Sequence, residues 1–238
     1  MTRRAFVLAG GEGRRLAPLT TIIPKPLVPV GDRSVLEIIL AQLGAAGIAR
    51  VTVSLGYLGH LIRAVVGDGS RFGVTVDYTT EDRPLGTAGA LSLLPDLDDD
   101  DTVLVLNGDT FTDLDFADVV EGHLRTQADA TIAVHRRTLA SEFGVLTVGD
   151  DGSLVRYEEK PVFDFLVSMG VNVLSARALR SLGSPDRLDM PDFLLRLRDA
   201  GFVVRCREVH CEWLDLGRLD DVRQANELVG ADPRRFLP

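Results

Sequence analysis

Residues 8–29 read LAGGEGRRLAPLTTIIPKPLVP, and the rest of the chain is arranged around this string. It continues an apolar run, Ala5-Phe6-Val7-Leu8, that predicts a short buried strand. Gly10, Gly11 and Gly13 stand where that strand should end. Glycine admits left-handed backbone angles and lets the main chain approach a ligand closely. Arg14 and Arg15 follow at once, and Lys25 sits between two prolines. Free backbone N–H groups beside guanidinium and ammonium groups suit a polyphosphate.

Two commoner glycine loops are excluded. A P-loop requires Gly-Lys-Ser/Thr after its first glycine and spacer, and the chain holds no Gly-Lys pair. A dinucleotide fingerprint requires a third glycine and an acidic residue ending the second strand. Leu16 occupies the first position, and the second strand ends in Val53-Ser54-Leu55. GGxG alone reads as an ordinary turn. Composition adds a separate signal: of 26 basic residues only Lys25 and Lys160 are lysines, each followed by proline. A chain that otherwise uses arginine yet keeps two lysines needs a compact ammonium at both places, because the two side chains are not equivalent at a crowded phosphate.

A length of 238 residues predicts one domain, or one with a small appendage. Hydrophobic content of 45% with few aromatics points to an aliphatic α/β core. A formal charge of -9 argues against coating nucleic acid, so any nucleotide must be held by local positive groups. No apolar run reaches the ~18 residues of a membrane span and no signal-peptide core is present, which predicts a cytoplasmic protein. Cys206 and Cys211 are the only cysteines; a cytosolic pair is reduced as a rule and reads as ordinary packing.

Apolar residues at 35, 36, 39, 40 and 43 predict a helix capped by Ser34 and ended by Gly44 or Gly47. Strands are expected over 50–55 and 74–80, with a helix over 58–66 between them. Pro84-Leu85-Gly86-Thr87-Ala88-Gly89-Ala90-Leu91 opens another helix. Taken alone, its small residues read as packing against a neighbouring helix. Residues 102–106 predict a fully buried strand, and the acidic run Asp98–Asp101 before it reads as a solvated turn. Strands alternating with helical stripes imply a mostly parallel sheet with helices on both faces.

The buried strand ends in Asn107-Gly108-Asp109. Asn-Gly is a common hairpin dipeptide, but no second strand is expected directly after it. Residues 115–127 read as a helix, with Asp113 and Asp115 as its caps. A carboxylate at the carboxyl end of a buried parallel strand lies where such sheets bind ligands, so Asp109 is a functional candidate. Residues 143–148 and 153–159 flank Gly149-Asp150-Asp151-Gly152 as a hairpin whose second strand delivers Glu159 and Lys160. Strands are expected over 130–136, 167–174 and 203–207, with Gly170 a point of close approach. Helices are expected over 176–182, 191–200 and 220–229, the last ended by Gly230. The only tryptophan lies in Glu212-Trp213-Leu214-Asp215-Leu216-Gly217 and reads alone as a core anchor beside a capping aspartate. The four histidines lie in unrelated strings and read as structural.

Five strings occur in order: GGEGRRLAPLT with its PKPL, then PLGTAGA, NGD, EKP and WLDLG. Together they resemble the sugar-1-phosphate nucleotidylyltransferase family, over Ala5 to about Glu227, and look closest to its mannose- or heptose-1-phosphate guanylyltransferases. The resemblance implies a Rossmann-like three-layer α/β fold with a mostly parallel mixed sheet. It implies one domain over 1–238, with 1–128 chiefly binding nucleotide and 129–238 chiefly binding sugar phosphate. The implied reaction joins a nucleoside triphosphate to a sugar 1-phosphate with loss of pyrophosphate, using Mg²⁺. Leu8, Ala9, Gly10, Gly11, Gly13, Arg15, Glu81, Pro84, Gly86, Thr87 and Gly108 would hold the nucleotide. Asp109, Gly144, Glu159, Lys160, Gly170, Val171 and Asn172 would hold the sugar phosphate. Asp109 and Asp215 would bind the metal, and Arg15, Lys25, Asp109 and Lys160 would be catalytic. GTP is the favoured donor, from the resemblance around Glu81–Gly89; uridylyl or thymidylyl transfer to a hexose 1-phosphate, a cyclitol phosphate acceptor and a non-catalytic regulator on the same fold are the alternatives. Nucleic acid and membrane are not expected partners, and a homodimer is compatible with the sequence.

Overall fold

The computed structural model describes residues 3–95 and 97–237. Strand β1 (Arg3–Ala9) is followed by three short 3₁₀ turns that carry the Gly10–Pro29 string. The small strands β2 (Pro29–Val30) and β3 (Arg33–Ser34) then lead into helix α1 (Val35–Ala45). Ser34 caps α1 with a full capping box: its hydroxyl accepts from Glu37 N–H, and the Glu37 carboxylate accepts from Ser34 N–H at 2.8 Å. The first half continues as β4 (Arg50–Leu55), α2 (Gly59–Val66), β5 (Thr75–Thr80), α3 (Gly86–Gly89) and β6 (Thr102–Asn107).

After β6 come β7 (Thr110–Thr112), α4 (Phe116–Thr126), β8 (Ala130–Ala140), β9 (Val145–Val148), β10 (Leu154–Glu158) and β11 (Val162–Ser175). The chain ends with α5 (Ala176–Arg180), α6 (Met190–Asp199), β12 (Val204–Glu208), β13 (Trp213–Asp215), α7 (Leu219–Ala231) and α8 (Pro233–Phe236). The main sheet has the order β12-β8-β11-β6-β1-β4-β5. β6, β1, β4 and β5 run parallel, while β11 is antiparallel to both of its neighbours. Successive side chains of a strand face opposite ways. Ala5, Val7 and Ala9 therefore join one core with α1, α2, α4 and α7, whereas Phe6, Val103 and Val105 join the other with α3, α5 and α6. The result is the three-layer, mostly parallel mixed α/β fold that the sequence predicts. Among the described residues no helix is long and apolar enough to cross a membrane.

Several local expectations are corrected. A strand does follow Asp109 directly, but it does not form a hairpin with β6: β7 pairs antiparallel with β13, about a hundred residues on. Asp115 caps α4, accepting from Asp118 N–H at 3.1 Å. Asp113 does not; it accepts from Glu212 N–H at 2.7 Å and pairs with Arg235 at 2.5 Å. Asp101 is not solvated: it is buried and paired with Arg4 at 3.1 Å. β10 stops at Glu158, so Glu159 and Lys160 lie in the bend beyond it, Lys160 at φ 46°. Gly230 lies inside α7 instead of ending it, and Cys206 is exposed on β12 instead of packed. β8 and β11 run past the expected ends, out to Ala140 and back from Val162.

Candidate active site

The parallel strands β1, β4, β5 and β6 all end on the same edge of the sheet, and the nucleotide and metal candidates gather there. Immediately after β1 the chain folds back, with Gly10 C=O accepting from Tyr57 N–H at 3.2 Å. Gly13 takes φ +64°, and a β-carbon there would press on the side chains of Lys25 and Thr20 at 3.0 Å. Thr20 donates its hydroxyl to Gly13 C=O at 2.9 Å. The glycine string and the Pro-Lys-Pro string are thereby locked to each other. Gly108 N–H donates to Leu8 C=O at 2.9 Å, tying the end of β6 to the end of β1.

A cavity of about 590 Å³ opens between these strand ends. Leu8, Ala9, Gly10 and Gly11 line one wall; Glu81, Pro84, Gly86 and Thr87 line another; Lys25 and Asp109 stand at one end. A smaller cavity of about 260 Å³ adjoins it at Gly11, Lys25 and Asp109, and is bounded further by Gly13, Arg15 and Gly217. The walls are mostly backbone and small side chains, with few aromatic rings. Glu81 serves as a brace: its carboxylate accepts from Ser54 Oγ at 3.2 Å and Leu85 N–H at 2.8 Å, which fixes the turn into α3.

Where the cavities meet, Lys25 Nζ is bonded to Asp109 Oδ2 and lies 3.4 Å from Asp215 Oδ1. The lysine side chain is only 11% exposed. Arg15 lies 3.7 Å from the other oxygen of Asp215, and its guanidinium lies against Gly217 at 3.0–3.2 Å from where a β-carbon would be. Burial is the largest influence on Asp109 and pushes its carboxyl above the usual carboxylate range; the Lys25 charge and hydrogen bond oppose this, and the Asp215 charge adds to it. The β7–β13 ladder brings the two aspartates together, pairing Asp215 with Thr110 next to Asp109.

This pair fits a hard divalent cation. Two carboxylates already share one positive group, the Lys25 ammonium, and Mg²⁺ uses one or two carboxylates together with phosphate and water. No cluster of three or more metal-ligating side chains occurs among the described residues. A metal here would draw its remaining ligands from substrate.

The sugar-phosphate candidates are split. Gly170 (φ +71°) lies tight against the Asn107 side chain, which lines the large cavity. Val171 and Asn172 are buried in β11, where Asn172 Oδ1 has no partner. Gly144, Glu159 and Lys160 lie elsewhere: Tyr157 donates to Glu159 at 3.1 Å with Gly144 close against the Tyr157 hydroxyl, Lys160 is exposed, and none of the three lines either cavity. Sequence reasoning missed Tyr57, Asn107 and Asp189 as lining residues. Asp189 precedes Met190-Pro191 and reads as a helix cap, yet its carboxylate makes no cap bond and accepts from Thr87 N–H at 3.1 Å. Thr87 Oγ1 in turn accepts from Met190 N–H at 2.7 Å.

An open α/β sheet with a cavity and a cluster of paired charges at its strand ends belongs to the ligand-binding α/β class. The chain belongs to the nucleotidyl transferase family, whose model matches residues 4–231. It is 31% identical over 240 residues to a UTP–glucose-1-phosphate uridylyltransferase of Synechocystis, covering 93% of this chain and 62% of that one. It is 35% identical over 156 residues to a mannose-1-phosphate guanylyltransferase of Mycobacterium tuberculosis, covering 66% of this chain and 44% of that one. The chain thus spans less than two thirds of the length of these curated relatives. The crystal structure of HddC from Yersinia pseudotuberculosis complexed with GMP-PN matches with a TM-score of 0.72 at 25% identity, over 96% of this chain and 99% of that one.

Proposed function

We propose that the chain transfers a nucleotidyl group from a nucleoside triphosphate to a sugar 1-phosphate and releases pyrophosphate. One observation carries this: a cavity of nucleoside size, walled by backbone and small residues, runs into the cluster of Arg15, Lys25, Asp109 and Asp215. Residues 1–128 chiefly hold the nucleotide and 129–238 chiefly the sugar phosphate, with Asp189 crossing over to brace the nucleotide side. Leu8 to Gly13, Glu81 to Thr87 and Gly108 form the nucleotide cradle. Gly144, Glu159, Gly170, Val171 and Asn172 serve the sugar phosphate.

Two polyanions must meet, so their repulsion must be offset before alignment can help. Lys25, held between two carboxylates, brings a fixed charge to the join, and Arg15 brings a second toward the triphosphate. Mg²⁺ held by Asp109 and Asp215 would polarise the α-phosphate and steady the leaving pyrophosphate. The attacking sugar-phosphate oxygen is already anionic and needs no general base. Lys160 would orient that oxygen, which requires it to move in from its exposed bend.

GTP is the favoured donor and a mannose- or heptose-like 1-phosphate the favoured acceptor. The resemblance around Glu81–Gly89, the Mycobacterium relative and the GMP-PN complex of the Yersinia protein support this. Uridylyl transfer is the second reading, supported by the Synechocystis relative, which is similar over 93% of this chain. Pyrophosphate release across GTP, UTP, dTTP and ATP, each with a panel of sugar 1-phosphates, tests both levels. A UTP or dTTP preference would overturn the guanylyl assignment alone; no release with any pair would overturn the reaction class.

A further inference from the structure

Beyond Val134, β8 leaves β12 and continues paired with β11 alone, so residues 135–168 project from the main sheet as an arm that carries the β9–β10 hairpin at its end. The arm's arginines are Arg136, Arg137 and Arg156. Arg136 pairs with Glu208 at 2.8 Å, and Arg156 pairs with Glu158 at 2.8 Å. Arg137 is in no ion pair among the described residues. Its Nη2 donates to Trp213 C=O at 3.3 Å, and its guanidinium lies over the Trp213 ring, 5.1 Å from the centroid.

That position faces the reaction cluster. Trp213 and Asp215 stand two residues apart in β13, so their side chains leave the strand on the same face. Arg137 therefore stands over the face of β13 that carries Asp215 toward Arg15 and Lys25. The platform is firm. Trp213 packs against the core shared with α1 and α7. His135, two residues before Arg137 in β8, lies 6.0 Å from Trp213, ring to ring, and donates through Nε2 to Cys211 C=O at 3.1 Å.

Charge gives such a group its use. Arg15 and Lys25 are already matched by Asp109 and Asp215, two cations to two anions. A triphosphate carries more negative charge than one Mg²⁺ offsets, so an acceptor phosphate arriving beside it is repelled unless it meets a further cation. Lys160 lies exposed in the bend near the arm's far end. Arg137 lies at the arm's root, three residues past the last pairing with β12. We propose, resting on the nucleotidyl-transfer reading, that Arg137 binds the phosphate of the acceptor beside Asp215 and that Trp213 holds the guanidinium in place for it. A guanidinium has five N–H donors in a planar fork. One is used on Trp213 C=O, which leaves donors for a two-point bond to a phosphate. Stacking on the ring holds the plane, so little freedom is lost when the phosphate arrives. Lys160, moving in from the bend, then meets a phosphate already held.

Trp213 is the only tryptophan, so its fluorescence reads the group stacked on it. The probes are GTP and mannose 1-phosphate, replaced by the fastest pair of the pyrophosphate assay if that differs. With a non-hydrolysable analogue of the donor bound, the sugar 1-phosphate should change Trp213 emission saturably, and the free sugar at the same concentration should not. Arg137→Gln, at an exposed position, should need about 10–10²-fold more sugar 1-phosphate for the same change, the scale of losing a charged hydrogen-bonded pair. Its KM for the sugar 1-phosphate should rise by the same factor, with KM for the donor near the parent's. Arg137→Lys keeps the charge but not the fork and should fall between the two. Arg136→Gln, on the opposite face of β8, should match the parent. Pyrophosphate release by Arg137→Gln with an unchanged acceptor KM overturns the inference and leaves the reaction standing. A rise in both KM values together with a lower urea midpoint also overturns it and makes Arg137 a brace for Trp213. A parent that releases no pyrophosphate with any pair overturns the reaction, and this inference with it.

Discussion

An ammonium group between two carboxylates, as Lys25 lies between Asp109 and Asp215, is both a structural pin and a reservoir of charge. Its β-carbon packs against Gly13, so the space around it is fixed by backbone. A guanidinium is planar and larger than an ammonium. Lys25→Arg should therefore displace one of the aspartates or the triphosphate and lower kcat by roughly 10²-fold, the cost of misplacing a reactant by about 1 Å. Steady-state kinetics of the variant would show it, and a kcat equal to the parent's would mean the lysine is incidental. Asp109→Asn and Asp215→Asn should each lower turnover by about 10²–10³-fold, comparable to removing one preorganised group at a developing charge. Full turnover in either, with unchanged magnesium dependence, would remove that residue from the metal site. Lys160 is the contrast: exposed in its bend, it should tolerate arginine for nucleotide binding while Lys160→Arg weakens use of the sugar phosphate, read as a rise in its KM.

Elements carry a different kind of constraint. Gly170 lies in β11 with φ +71°, and a methyl group there would overlap the Asn107 amide at the cavity wall. Gly170→Ala should cost about 1–3 kcal/mol through backbone strain and also disturb the cavity; urea denaturation beside nucleotide-binding assays would report both, and an unchanged midpoint would refute it. Ser34→Ala removes one half of the α1 capping box and should cost about 1 kcal/mol, read in the same urea denaturation. The helices and the buried strands are legible in the sequence because their apolar patterns are strong, as in Val35–Leu43 and Val51–Leu55, while the exposed extensions of β8 and β11 are not. Gly170 was also legible, as a glycine interrupting an apolar strand. β7 is not legible: Thr110-Phe111-Thr112 is too short to show a period, and its partner β13 lies far along the chain. Asp189 escaped notice for a related reason. Its neighbours spell a helix start, and only the fold brings Thr87 to it.

Over the whole molecule, stability should follow pH through His123. It is buried and bonded through Nδ1 to Thr131 Oγ1 at 2.8 Å. Burial disfavours the imidazolium and holds its pKa below the ordinary value, against the opposing pull of Asp129. Below pH ~6.5, where an unfolded histidine takes up its proton, the unfolded chain binds more protons at this site than the folded one. Stability from this residue is thus complete at neutral pH and declines as pH falls toward the folded pKa. His123→Gln should flatten the pH dependence of the urea midpoint between about pH 7 and 5; an identical slope in variant and parent would refute this. The larger plan of the site was legible because its strings stand in order along the chain, while the split between the cavity residues and Glu159–Lys160 depends on how far the arm projects, which no local string encodes. The β7–β13 ladder also has a consequence in time. Asp109 and Asp215 meet only when the chain closes a loop of about a hundred residues, an entropic cost of about 4 kcal/mol. Such distant pairings form late in folding. A chain emerging from the ribosome has the Gly10–Gly13 loop and Lys25 in hand long before it has Asp215. The cluster on which the proposed chemistry depends is therefore among the last parts of the molecule to be assembled.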